Sequence, residues 1–231
     1  PRIVRDAVFG SHPGLVTLRT DLPGIPWETA SDGRRTLGEL HAVAREGGQA
    51  PPVPEVLRVL MVTDPKGDLP HSATEAHSIT QRLRRIGVVR PVTLAGASAS
   101  RHAVLEMLET RPFDVIHFSC HGAFDEQDPT RSALECFDAP LTVADLAECS
   151  TAVPPALCVL NACESGRRGR AIGLPGALRA AGVAAVVAAL WPVDNRAATY
   201  LSSCLFAELA AGHPVAEALR RARMETRRLF A

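Results

Sequence analysis

The chain has 231 residues, room for one large or two small domains, and its 46% hydrophobic and 22% charged content is ordinary for a globular protein. Twenty-five Lys and Arg balance twenty-five Asp and Glu. The formal net charge is therefore zero, without the cation excess of a nucleic-acid binder or the polybasic signal of a membrane-surface protein. No run reaches the roughly 18 apolar residues of a spanning helix. The longest, residues 183–190, is strand-sized, so neither nucleic acid nor membrane is expected as a partner. The start at Pro1, with no initiator Met and no signal-peptide pattern, reads as processed or excised. Six cysteines are too few for a disulfide scaffold at this length, which favours reduced thiols and a cytoplasmic setting.

Residues 1–50 carry scattered apolar positions, Val4, Val8, Leu15, Val16 and Leu18, that suit short strands, with His12, Pro13 and Gly14 as a turn. Three prolines in residues 49–54 read as a linker within the same domain. From residue 56 the pattern changes. VLRVLMVT at 56–63 is a nearly continuous apolar run, as expected of a strand buried on both faces of a parallel sheet. Ala73, Ala76, Ile79, Leu83 and Ile86 then recur at helical spacing. A second strand is expected over 88–94, and a helix capped by Ser100 follows with Val104, Leu105 and Leu108 on one face. FDVIHFS at 113–119 and LCVLN at 157–161 give the third and fourth strands, with a short helix near 141–147 between them. A helix over 177–181 ends at Gly182, a fifth strand is expected over 183–191, and helices over 196–211 and 215–230 follow. Alternating strands and helices imply an α/β sandwich around a mostly parallel sheet.

In such folds the working groups gather beyond the carboxyl ends of the strands. The third strand is followed by Ser119, Cys120, His121 and Gly122, and the fourth by Ala162, Cys163, Glu164, Ser165 and Gly166. A His and a Cys at two such ends suit acyl transfer: the imidazole takes the thiol proton and the sulfur attacks a carbonyl. Cys163 also sits where a helix is expected to begin, whose dipole would favour the thiolate. Gly122 lets a substrate approach and offers an unobstructed N–H. Asp125, Glu126 and Asp128 are candidates to orient the imidazole or to form a solvated loop. Cys120 and Cys158 read as packed strand residues, and Cys136, Cys149 and Cys204 as structural. A zinc site from Cys120, His121, Cys158 and Cys163 is disfavoured because no CxxC pair exists, so no metal or cofactor is expected.

Four segments taken together, HFSCHG at 117–122, LNACESG at 160–166, LPGALRAAGVAAVVAALWPVDN at 174–195 and HPVAEALRRAR at 213–223, resemble the CHAT family. These are caspase-like cysteine peptidases of clan CD, related to separase, metacaspases and gingipains. LPGIPWE at 22–28 is similar to the family's upstream element. The resemblance implies a caspase–hemoglobinase three-layer sandwich with residues 51–231 as the peptidase core. It also implies His121 as catalytic histidine, Cys163 as nucleophile, and the N–H groups of Gly122 and Cys163 as oxyanion hole. It places Trp191, Asp194 and Asn195 in the substrate site, where many members carry a second Asp in place of Asn195. A basic residue before the scissile bond would then be held by Asp194; the competing reading makes Asp194 a helix cap and the preferred residue small or apolar. The implied substrate is a protein or peptide. A fused or associated sensor or regulatory domain is expected in a bacterial signalling or defence setting. The alternative is an inactive binding or scaffold module of the same fold. A glutaminase-type thiol enzyme would want a G-x-C-x-G elbow, which Ala162 and Ser165 do not form.

Overall fold

The computed structural model describes residues 9, 12–18, 26–45, 53–163, 165–166 and 173–230. Val4, Val8, Glu164, most of the 22–28 element and the greater part of the proline-rich linker lie outside the described residues.

Two short strands come first, β1 (Leu15–Thr17) and β2 (Ala42–Ala44), separated by the short helix α1 (Leu37–Leu40). They pair in parallel, Val16 opposite Val43, so the partner of the first strand lies 27 residues downstream rather than across a hairpin turn. The main sheet follows with β3 (Val56–Thr63), α2 (Ser72–Leu83), β4 (Val88–Ala95), α3 (Arg101–Thr110) and β5 (Val115–Ser119). Short strands β6 (Gly122–Ala123), β7 (Ala133–Leu134) and β8 (Leu141–Thr142) make a small antiparallel sheet beyond β5. The chain then forms α4 (Val143–Glu148), β9 (Leu157–Asn161), α5 (Leu174–Ala180), β10 (Val186–Ala188), α6 (Asn195–Ala210) and α7 (Val215–Phe230).

The five main strands lie in the order β10-β9-β5-β3-β4, all parallel. The alternation within β3 shows why helices cover both sides. Leu60 and Val62 pack with Val104, Leu108, Leu146 and Leu178 of α3, α4 and α5. Leu57, Val59 and Met61 pack with Ile79, Leu205, Phe206 and Ala222 of α2, α6 and α7. A strand with apolar chains on both faces must be roofed twice, and the result is the three-layer α/β sandwich. Arg58 ties the amino end of β3 to the entry of β5: its backbone N–H, Nε and Nη2 donate to the Asp114 carboxylate at 2.7–2.9 Å. Those bonds, against the cost of burial, hold the Asp114 carboxyl below its ordinary value.

The expected fifth strand is shorter than its apolar run. β10 stands at the sheet edge with only β9 beside it. Its pairing stops at Ala188, because at Ala189 both backbone groups are taken by the turn after β9. Gly166 N–H donates to Ala189 O at 2.6 Å, and Ala189 N–H donates to Ser165 Oγ at 3.3 Å. Gly182, at φ +97, ends α5 as expected, and Ser100 Oγ caps α3 by accepting from Ala103 N–H at 3.2 Å.

Two arginines of α7 reach Glu39 in the N-terminal segment. Arg220 Nη1 donates to Glu39 O at 3.1 Å, Arg227 pairs with the Glu39 carboxylate, and Arg45 makes a two-pronged pair with Glu28 at 2.8–2.9 Å. The segment between β1 and β2 is thereby fastened to the last helix.

Candidate active site

β5 and β9 are adjacent strands, with Ser119 opposite Asn161 on their last rung. His121 and Cys163 each stand two residues beyond that rung. Both therefore leave the carboxyl edge of the sheet from the ends of neighbouring strands, which lie about 5 Å apart across the ladder. Cys120 N–H continues the contact by donating to Asn161 O at 3.3 Å. Gly122 passes so close to the Cys turn that an added Cβ would lie 2.5 Å from Cys163 O and 3.1 Å from Ala162 Cβ. Any side chain there would push the two loops apart.

The Cys turn is pinned from beneath. Ser165 is buried, donates Oγ to Leu160 O at 3.2 Å and gives its N–H to Ala162 O at 3.3 Å. Cys163 is half-buried, with Sγ 4.0 Å from Val193 O. Among the described residues Cys163, Ser165 and Gly166 lie in a turn, and the next helix, α5, begins at Leu174.

The imidazole of His121 bonds Asp68, Nε2 to Oδ1 at 2.9 Å. That leaves Nδ1 as the nitrogen available for exchange with a thiol. Among the described residues His121 and Cys163 share no hydrogen bond. Both Asp68 and His121 are largely exposed, 59% and 45%, so the pair orients the ring more than it stabilises the fold. Asp68 sits in a loop folded by Asp64, whose backbone adopts the left-handed region at φ +46. Asp64 Oδ1 accepts from the N–H groups of Asp68 and Leu69 at 2.9 and 3.0 Å, and its own N–H donates to Ser119 O at 2.8 Å. The acidic run after His121 serves its own loop instead. Asp125 accepts from the N–H groups of Gln127 and Asp128, both at 2.9 Å, and Asp128 Oδ1 caps the turn at Thr130.

Sequence reasoning missed Asp68 and, deeper, Glu75. The Glu75 carboxylate of α2 is 1% exposed and accepts from His117 Nε2 at 3.0 Å, Ser119 Oγ at 2.8 Å and Asn161 Nδ2 at 2.8 Å. Burial pushes this carboxyl up, but the adjoining His117 ring and the hydroxyls of Ser202 and Ser119 outweigh it and hold the group below its ordinary value. His117 Nδ1 is buried without a hydrogen-bond partner.

Trp191 is 47% exposed beside Val193, and both line a cavity of about 570 Å³ with Asn161, Ala188, Leu201 and Arg223. Asp194 caps α6: its Oδ1 accepts from Ala197 N–H at 3.0 Å, and Asn195 Oδ1 accepts from Thr199 Oγ1 at 3.4 Å. The other cysteines are set apart by burial, which raises the thiols of Cys149, Cys158 and Cys204, pushes Cys120 well up and takes Cys136 up to about 12. Among the described residues no group of three or more His, Cys, Asp or Glu is arranged to hold a metal ion, and no helix is long and apolar enough to cross a membrane.

The family model described as CHAT domain matches residues 15–229. The chain belongs to the CHAT-domain family. The match takes in the N-terminal segment as well as the region from residue 57 to 223 where the motifs lie. Among solved structures, this CHAT domain is similar to a chain of the Saccharomyces cerevisiae separase–securin complex, at 16% identity and a TM-score of 0.50. That likeness covers 75% of this chain and 11% of the other, and it supports the caspase-like fold. No curated protein matches this chain.

Proposed function

We propose that this CHAT domain is a cysteine endopeptidase that cleaves protein substrates by acyl transfer between Cys163 and His121. The observation that carries the reading is the shared two-residue overhang of His121 and Cys163 beyond the paired Ser119 and Asn161. In the first step His121 Nδ1 takes the Sγ proton as the sulfur attacks the scissile carbonyl. The N–H groups of Gly122 and Cys163 receive the oxyanion. His121 returns the proton to the leaving amine as the C–N bond breaks, giving a thioester on Cys163. A water deprotonated by His121 then releases the carboxylic acid and restores the thiol. Asp68 keeps the proton on Nε2 through both steps, the bond at 2.9 Å supporting that tautomer.

The substrate residue before the scissile bond enters the cavity beside Trp191 and Val193. Its walls are mostly apolar and the Asp194 carboxylate is engaged at the N-terminus of α6, so a small or apolar side chain suits it better than a basic one. A fused or associated sensor regulates the domain, as in a bacterial signalling or defence assembly.

The test is Cys163→Ala, assayed on a peptide or protein library with the domain in its natural full-length context and with the isolated chain. Cleavage should vanish with the melting transition unchanged, because one half-buried sulfur at a turn is removed. Activity that survives Cys163→Ala but not Cys120→Ala would refute the assignment. The inactive-scaffold reading predicts no turnover from either protein under any condition.

A further inference from the structure

A carboxylate in a protein interior is costly unless every oxygen is used, and the use made of Glu75 is specific. Oε2 accepts from Ser119 Oγ, the last residue of β5. Oε1 accepts from Asn161 Nδ2, the last residue of β9, and from His117 Nε2 within β5. Ser119 and Asn161 face each other on the final rung of the ladder, so one side chain from α2 grips both strands at the point where they release the two reacting loops. Beyond that grip the chain runs only two residues to His121 on one side and to Cys163 on the other.

We propose that Glu75 is a positioning residue for the reaction: its buried carboxylate bridges Ser119 and Asn161 and so fixes the distance and facing of His121 and Cys163. The inference rests on the His121–Cys163 reading and adds to it the element that holds the pair in register. Stability alone does not call for a carboxylate here, because apolar residues of similar volume commonly replace buried polar clusters at little cost. A group that accepts from both strand ends at once, however, cannot be replaced by an apolar one without freeing the rung. Glu75 touches no reacting atom and acts only through the two strands.

The test reads geometry rather than folding, and it needs no natural substrate. The rate at which iodoacetamide alkylates Cys163 is followed against pH by mass spectrometry of the Cys163 peptide, with thermal unfolding in parallel. The set is wild type, His121→Ala, Glu75→Gln, Ser119→Ala and the Glu75→Gln/His121→Ala double variant. Glu75→Gln keeps the volume but leaves an amide that must donate from one arm, and Ser119→Ala removes one arm while Glu75 stays. The expected result is a shifted pH profile for His121→Ala and a shift in the same direction for Glu75→Gln, with roughly a tenfold or greater rate loss near neutral pH, since misplacement by about 1 Å can cost on the order of 10²-fold. Ser119→Ala should fall between, and Glu75→Gln should add nothing in the His121→Ala background. A cooperatively folded Glu75→Gln whose profile superimposes on wild type overturns the proposal, as does an equal rate loss with and without His121. If Glu75→Gln does not fold, a wild-type profile for Ser119→Ala overturns it in its place. A His121→Ala profile identical to wild type sinks the dyad itself, and the positioning role with it.

Discussion

Asp194 separates two roles that a single aspartate can play. Its Oδ1 accepts from Ala197 N–H, the bond of a helix cap. Asn is as good a cap as Asp, whereas Ala is not. Asp194→Asn should therefore leave stability and the ranking of Arg, Lys, Met and Leu peptides unchanged, while Asp194→Ala should cost about 0.5–2 kcal/mol. Denaturant midpoints and a peptide library read the two effects, and a ranking that changes in Asp194→Asn would restore the aspartate as a specificity determinant. His121, Cys163 and Gly122 were legible because each stands at the end of an apolar strand in a small-residue turn. Asp68 was not, because its partner lies 53 residues away in a loop without periodicity. Glu75 was hidden for a different reason: the sequence pattern puts Ala73 and Ala76 on the core face, so a polar residue between them reads as the edge of the wet face, whereas in the structure Ala73 is exposed and Ser72, Glu75, Ile79 and Leu83 are the buried positions.

Among the elements, β3 and β9 begin and end where their apolar runs do, edge strand β4 runs one residue past its expected end, and β5 starts two residues late, at Val115. β10 fell short because an edge strand has spare backbone groups, and at Ala189 the Cys turn takes them. The last helix, α7, supplies a pH test. Glu217 accepts from Arg220 at 2.8 Å and from Arg221 at 2.8 Å, and these bonds, the Arg220 bond foremost, hold its carboxyl down to about 2. The folded state is thus the stronger acid. The contribution of this cluster is complete above the unfolded value of about 4.3 and is lost as pH falls through about 2. Glu217 is partly solvated, so the loss is about 1 kcal/mol or less. Urea midpoints of wild type and Glu217→Gln, compared at pH 6 and pH 3, should differ more at the higher pH than at the lower; an unchanged gap would place the stabilisation elsewhere.

At the scale of the whole molecule, the sandwich was readable from alternation alone, and the order of the strands was not. Periodicity gives each element a face but does not say which strand stands beside which, and it is the pairing of β5 with β9 that puts the strand ends before His121 and Cys163 next to each other. The role of residues 26–45 was hidden likewise, because it depends on α7, far along the chain, whose Arg220 and Arg227 meet Glu39.

The two-residue overhang from the Ser119–Asn161 rung carries a consequence for insertions and deletions. One extra residue between Asn161 and Cys163 would break the equal two-residue overhang that Cys163 shares with His121 while leaving the strand pairings of the sheet and the helices in place. An added glycine in the 124–131 loop would only lengthen a surface crossing, a change that costs little. The fold can therefore absorb changes of length almost anywhere along its rim except at these two short bridges. A glycine inserted after Ala162 should give a protein that melts like wild type and has lost its turnover, whereas one inserted after Gln127 should keep both.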